Sequence, residues 1–208
     1  MEHREQLGPY VYRWNEACFP LGADSLALGE FCTLKPRDRV LDLGCGGGLL
    51  LLLCAKRQGE ASLFGVEADP EAAALARENL QQNGLEGEVI TGDLRTAPLP
   101  EKIDLVISNP PWYPQGSGAR GGPGRMEGCT FPELCQTAAK VLSPKGRFAL
   151  VHSPERLTDL LAGLRQAGVE PKHLRFCRGR ADRPPYAVLV EGTKGGRPGL
   201  EVLPDKIP

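Results

Sequence analysis

Val40-Leu41-Asp42-Leu43-Gly44-Cys45-Gly46-Gly47-Gly48 is an apolar run that breaks abruptly into glycine. Arg39 to Leu43 reads as a strand buried on both faces, because its apolar residues do not alternate with polar ones. Four of the next five residues are glycine. Glycine reaches left-handed backbone and lets another group come close to the main chain. Leu49 to about Gln58 then reads as a helix. A glycine turn between strand and helix also cradles pyrophosphate in dinucleotide-binding folds. Here Asp42 stands just before the glycines, and a carboxylate there repels a pyrophosphate. It suits a cationic amine or a sulfonium.

The same pattern extends outward. Ala61 to Val66 is a second strand. Asp69 caps a helix that opens on Pro70, runs to about Asn83 and stops at Gly84. Glu88–Thr91 and Ile103–Ser108 are the third and fourth strands. Phe131–Leu142 is a helix closed by Ser143-Pro144-Lys145-Gly146, and Arg147–His152 is the fifth strand. A helix over Glu155–Gly168 precedes strands near Lys172–Cys177 and Tyr186–Glu191. Short apolar strands alternating with helices predict an α/β fold whose mostly parallel sheet is covered by helices on both faces. Upstream, Tyr10, Tyr12, Trp14 and Phe19 follow no period, which fits an irregular arm or a short hairpin. Asp24 or Ser25 is placed to cap a helix reaching about Leu34. The chain therefore divides into an N-terminal arm and helix, 1–34, and a main unit, 35–208, within one compact domain.

Composition narrows the class. No apolar run spans a bilayer, since Leu49–Ala55 is short and opens into Lys56-Arg57. The start, Met1-Glu2-His3-Arg4-Glu5, lacks the apolar core of a signal peptide. Seven cysteines without a CxxC pair fit reduced, mostly buried thiols in a cytoplasmic protein, and no metal site is expected. The net charge of -1 argues against indiscriminate nucleic-acid binding. Arginines still cluster locally, at Arg120 and Arg125 in a glycine-rich loop of about 113–128, and at Arg175, Arg178, Arg180 and Arg183. They read as phosphate contacts or as a solvated surface.

Ligands of open α/β sheets bind beyond the carboxyl ends of the strands. The strand tips here carry chemistry. Glu67, with Ala68 beside it, ends the second strand, a little over twenty residues past the glycine turn, where an acid accepts from ribose hydroxyls. After the third strand, Asp93 either accepts from an amino group, with Leu94 packing on its ring, or serves as a turn residue. The fourth strand ends in Asn109-Pro110-Pro111-Trp112. Two prolines end a central strand and hold an extended turn. A side-chain amide, fixed carbonyls and a flat ring then stand together, which suits a planar nitrogen-bearing substrate.

Taken together, these motifs resemble the class I S-adenosyl-L-methionine-dependent methyltransferases over about residues 34–191. The resemblance implies a Rossmann-like, seven-stranded sheet with a reversed final strand at Tyr186–Glu191. It implies that Asp42, Gly44, Cys45, Gly46, Gly48 and Asn109 hold the cofactor, with Glu67 and Ala68 at the ribose and Asp93 and Leu94 at the adenine edge. It implies that S-adenosyl-L-homocysteine is the product. In that family Asn109 and the Pro110 carbonyl accept the two N–H bonds of a planar nitrogen, Pro111 fixes the turn and Trp112 stacks on the acceptor.

The acceptor is read from the segment before the glycine turn. A protein-glutamine methyltransferase with the same tetrapeptide carries a helical domain ahead of it, and about thirty-five residues are too few for one. Phe19-Pro20-Leu21-Gly22-Ala23-Asp24-Ser25-Leu26-Ala27-Leu28 resembles a Gly-x-Asp-x-x-Leu-Leu segment of the bacterial tRNA adenine-37 N6-methyltransferase group. So do Tyr113-Pro114-Gln115-Gly116 and the run from Lys194 to Leu200. In that group the segment lies over the cofactor, which makes Asp24 a cofactor-side or capping residue. The expectation is an enzyme methylating adenine N6 in RNA, favouring tRNA and working as a cytoplasmic monomer. Trp112, Tyr113, Arg120, Arg125, Arg178 and Arg180 are the expected substrate contacts. Protein-glutamine N5 or guanine N2 methylation, or a non-catalytic cofactor-binding module, are the alternatives.

Overall fold

The computed structural model describes residues 3–111 and 129–207. The chain opens with an antiparallel hairpin of β1 (His3–Leu7) and β2 (Tyr10–Trp14), followed by α1 (Ala23–Phe31). Gly8, at φ 70°, makes the two-residue turn. The hairpin escapes a reading by periodicity because its buried side chains, Leu7 and Tyr12, are few. The start of α1 also differs from expectation. Gly22 is the N-cap residue, and Asp24 lies inside the first turn.

The alternating pattern follows as β3 (Arg39–Leu43), α2 (Leu49–Arg57), β4 (Ser62–Glu67), α3 (Pro70–Gln82), β5 (Gly87–Thr91) and β6 (Ile103–Ser108). Asp69 caps α3, its side chain accepting from the Glu71 and Ala72 amides. After the glycine-rich stretch come α4 (Phe131–Val141), β7 (Leu142–His152), α5 (Leu157–Gln166), β8 (Val169–Cys177), β9 (Ala187–Lys194) and β10 (Glu201–Val202). Thr130 and Glu133 form a reciprocal capping box on α4.

One sheet of eight strands results, in the order β10-β8-β9-β7-β6-β3-β4-β5. Strands β3 to β7 pair in parallel, while β9 runs against both of its neighbours. The seven expected strands are present with the reversed one at β9, and β10 adds a two-residue edge. So short a strand carries no alternation to read. A second correction concerns Ser143–Gly146, expected as a loop. Here β7 begins at Leu142, and its register against β6 slips between Ile103/Leu142 and Leu105/Arg147, with Lys145 left-handed at φ 67°. The four residues form a bulge within the strand.

Two apolar layers flank the sheet. Val40, Leu105, Ile107, Ala149 and Val151 face the layer of α1, α2 and α3. Leu41, Leu43, Val106, Phe148 and Leu150 face the layer of α4 and α5. This double coverage is why the strands read as continuous apolar runs. The chain passes from β3 to β4 and β5 on one side, then returns to β6 on the other. That reversal opens a crevice at the carboxyl ends of β3 and β6, where ligands of such sheets bind. No helix of the described residues is long and apolar enough to cross a membrane.

Candidate active site

The crevice is built from the strand tips. Gly44, Gly46 and Gly48 have φ of 81°, 50° and 82°. A β-carbon on Gly46 would meet nothing within 4 Å, so its face of the turn lies open. The turn is held by the Gly44 and Cys45 amides, both 3.0 Å from the Val66 carbonyl, and by the Gly46 amide, 2.8 Å from Glu67 Oε2. Glu67 Oε1 accepts from the Asp69 amide at 3.0 Å. Its buried carboxylate thus braces two loops, and each oxygen keeps a second lone pair for a hydroxyl. Ala68 beside it is exposed. Cys45 is buried, and burial holds its thiol well above the ordinary range.

Asp42 is 1 % exposed, and neither carboxylate oxygen finds a hydrogen-bond partner among the described residues. Burial, and secondarily the Glu67 charge, push its carboxyl well above the usual range. An unpartnered buried carboxyl is costly, and it persists where a ligand completes it. A cationic amine or sulfonium supplies the missing charge. The residues present therefore fit S-adenosylmethionine.

Asp93, expected at the adenine edge, is held by Arg95. The Arg95 Nε lies 2.9 and 3.0 Å from its two oxygens, and these bonds hold the Asp93 carboxyl below the usual carboxylate range. Arg95 continues to Glu133 on α4, at 3.5 Å. Leu94 is buried in the α4–α5 layer.

Asn109 stands at the tip of β6, half-buried. Its amide nitrogen lies 3.1 Å from Asp24 Oδ2 and 3.0 Å from Ser25 Oγ, both on α1. Pro110 and Pro111 line a small open cleft together with Thr130, Phe131, Leu134 and His152. Sequence reasoning missed His152. Its Nδ1 accepts from the Ser153 amide at 2.8 Å, so the neutral ring carries hydrogen on Nε2. Burial, aided by Arg156, lowers its pKa to about 4. Nothing local in the sequence marks it, because it joins the cleft through sheet register.

Trp112, Tyr113, Arg120 and Arg125 lie outside the described residues. Two of the C-terminal arginines have carboxylate partners. Arg178 pairs with Asp205 and donates to the Arg183 carbonyl at 2.6 Å, and Arg180 pairs with Asp182 at 3.2 Å. Three residues without any expected role also support the glycine turn. Tyr12 and Cys18 leave no room for a side chain at Gly47, since a β-carbon there would sit 3.0 Å from the Tyr12 hydroxyl and 3.2 Å from Cys18 Sγ. Asn79, on α3, donates to the Gly47 carbonyl at 2.8 Å.

Comparison with known proteins agrees with this geometry. A protein from Tolumonas auensis named tRNA1(Val) (adenine(37)-N6)-methyltransferase is 35% identical over 190 residues, covering 88% of this chain and 74% of the relative. One of the same name from Dickeya chrysanthemi is 30% identical over 195 residues, covering 88% and 76%. Among solved structures, a protein of Agrobacterium tumefaciens described as an O-methyltransferase aligns with a TM-score of 0.73 at 22% identity, covering 88% of this chain and 86% of its own. That likeness concerns the fold alone. The Methyltransferase small domain model matches residues 25–164. With the crevice, the open glycine turn and the orphaned Asp42, this match makes the chain a member of the methyltransferase small domain family, a class I S-adenosylmethionine-dependent methyltransferase.

Proposed function

We propose that the chain methylates the exocyclic N6 of adenine in RNA, with tRNA as the favoured substrate. The observation that carries this reading is the orientation of Asn109. Asp24 and Ser25 take hydrogen bonds from its amide nitrogen. Among the described residues Oδ1 accepts no hydrogen bond and keeps both of its lone pairs. An amide so held accepts hydrogen bonds, as a planar amine requires. The names of the relatives favour adenine in tRNA over other planar nitrogens.

An exocyclic amine donates its lone pair into the ring and is a poor nucleophile. Acceptance of its two N–H bonds, by Asn109 Oδ1 and the Pro110 carbonyl, favours the positive charge that grows on nitrogen during transfer. The cofactor, when bound, supplies an electrophilic methyl group on a sulfonium. Asp42 and the glycine turn would hold its charged end, and Glu67 its ribose. Asp93, bonded to Arg95 on one side, would meet the adenine edge. Holding the nitrogen in line contributes the rest of the acceleration. No strong base is needed, since the alkylated nitrogen loses its proton readily. His152 is unsuited to that task, because its ring lone pair is taken up by the Ser153 amide. The target base must leave its stack to enter the cleft.

The test incubates the protein and labelled S-adenosylmethionine with separate tRNA, DNA and release-factor fractions. Label is expected in tRNA, as N6-methyladenosine. Label in a release factor with none in RNA overturns the reading. Asn109→Ala is expected to slow transfer by about 10²- to 10³-fold while S-adenosylhomocysteine binding stays largely intact.

A further inference from the structure

We infer that Asp24 and Ser25 are positioning residues for the transfer step, acting through the amide of Asn109. This rests on the reading that Asn109 receives the acceptor nitrogen. It departs from the expected places of Asp24 as a helix cap or a cofactor ligand. Gly22 is the N-cap residue of α1, so Asp24 does not cap it.

Three observations converge on Asp24. Its Oδ1 accepts from the Ser25 amide at 2.8 Å, which folds the carboxylate back over the helix start. Its Oδ2 accepts from Asn109 Nδ2 at 3.1 Å, with Ser25 Oγ beside it at 3.0 Å. A β-carbon at Gly22 would lie 2.3 Å from Asp24 Oδ1. Gly22 is therefore the residue that leaves the carboxylate its room. The spacing Gly22-x-Asp24-Ser25 builds a bracket for a side chain more than eighty positions away.

The bracket does two things. A side-chain amide rotates by half a turn at little cost when exposed, which would present its N–H groups to an acceptor that also offers N–H. An anion and a hydroxyl on the nitrogen side fix which end of the amide is left to accept. The carboxylate also draws the amide's N–H toward itself, which increases electron density on Oδ1. Hydrogen bonds in such a chain strengthen one another. Oδ1 then accepts more strongly as positive charge grows on the substrate nitrogen. Asp24 touches neither substrate nor cofactor in this account.

The experiment compares Asp24→Ala, Ser25→Ala and Gly22→Ala in the full chain, alone and with Asn109→Ala. Loss of a charge-assisted hydrogen bond predicts a fall in kcat of about 10- to 100-fold for Asp24→Ala and about 10-fold for Ser25→Ala. Gly22→Ala, which displaces the carboxylate, should resemble Asp24→Ala. S-adenosylhomocysteine binding by calorimetry should match the wild type in all three, which also reports that each is folded. In the Asn109→Ala background the further effect of Asp24→Ala should vanish, because the residues act as one unit. Weakened cofactor binding with kcat preserved would make Asp24 a cofactor ligand and overturn the inference. Additive losses would do the same. A wild-type protein that methylates a protein amide would overturn the RNA reading alone, since that acceptor is also a planar nitrogen.

Discussion

Truncating Asn79 should loosen the N-terminal hairpin and the glycine turn together. Asn79 is 0 % exposed and sits on α3 between them. Its Nδ2 donates to the carbonyls of Arg13 and Gly47, each at 2.8 Å. Its Oδ1 accepts from the Arg13 amide at 3.0 Å and from Gln82 Nε2 at 2.8 Å. One turn on, Asn83 grips Val11 by the same paired amide contacts. The two side chains therefore act as the missing neighbour strand for the edge of β2. Asn79→Ala removes all four bonds and leaves the Gly47 carbonyl buried without that partner. At about 1 kcal/mol for each neutral bond, with partial recovery by water at the hairpin, the loss is roughly 3–4 kcal/mol. In a domain of this size that lowers Tm by roughly 6–16 °C. Asn79→Asp keeps the shape but turns two donors into lone pairs facing two carbonyls. It should be worse than alanine near neutral pH and should recover as the pH falls and the buried carboxyl takes a proton. Thermal unfolding by circular dichroism measures the first effect. Calorimetry with S-adenosylhomocysteine measures the second, where Asn79→Ala should bind more weakly. An Asn79→Ala protein with wild-type Tm and affinity would refute the reasoning, as would an aspartate variant as stable as the wild type.

Asp42 gives a pH signature. A carboxyl raised by burial and by Glu67 contributes most below its unfolded value, about 3.9, and loses that contribution as pH climbs through the folded value. Asp42→Asn should therefore gain stability over the wild type from about pH 4 upward while losing cofactor affinity, and a stability gap that is flat with pH would contradict this. His152 behaves in the opposite sense. Its folded pKa of about 4 lies below the unfolded value of about 6.5, so it removes stability as pH falls between the two. Ring carbon shifts by NMR should report the neutral Nε2–H form down to about pH 5, and a midpoint near 6.5 would remove the argument. At the far end of the sheet, Asp38 and Arg147 form a buried pair at 2.6 Å. Asp38→Ala leaves the guanidinium uncompensated and should cost about 3–5 kcal/mol in chemical denaturation, whereas the double replacement by apolar residues should recover most of it.

Much of the architecture was legible in the chain because its causes are local. The strands β3 and β6 and the caps of α3 follow from apolar runs, Asp69 and Pro70. The glycine turn follows from residues that tolerate positive φ. Asp42 declared its oddity by charge alone, since a carboxylate in an apolar strand end calls for a cation. These features depend on neighbours within a few residues, so a one-dimensional reading reaches them. Tertiary structure decided what the side chains do. Asp24 and Ser25 become the bracket of Asn109 only because α1 packs over the tip of β6. Asn79 becomes the clamp of the hairpin because α3 lies beside the unpaired edge of β2. Arg178, which reads as a phosphate contact or a solvated side chain, is matched by Asp205. Each of these is a hydrogen bond or charge pair whose partner is chosen by packing, and packing brings together residues that the order of the chain keeps apart.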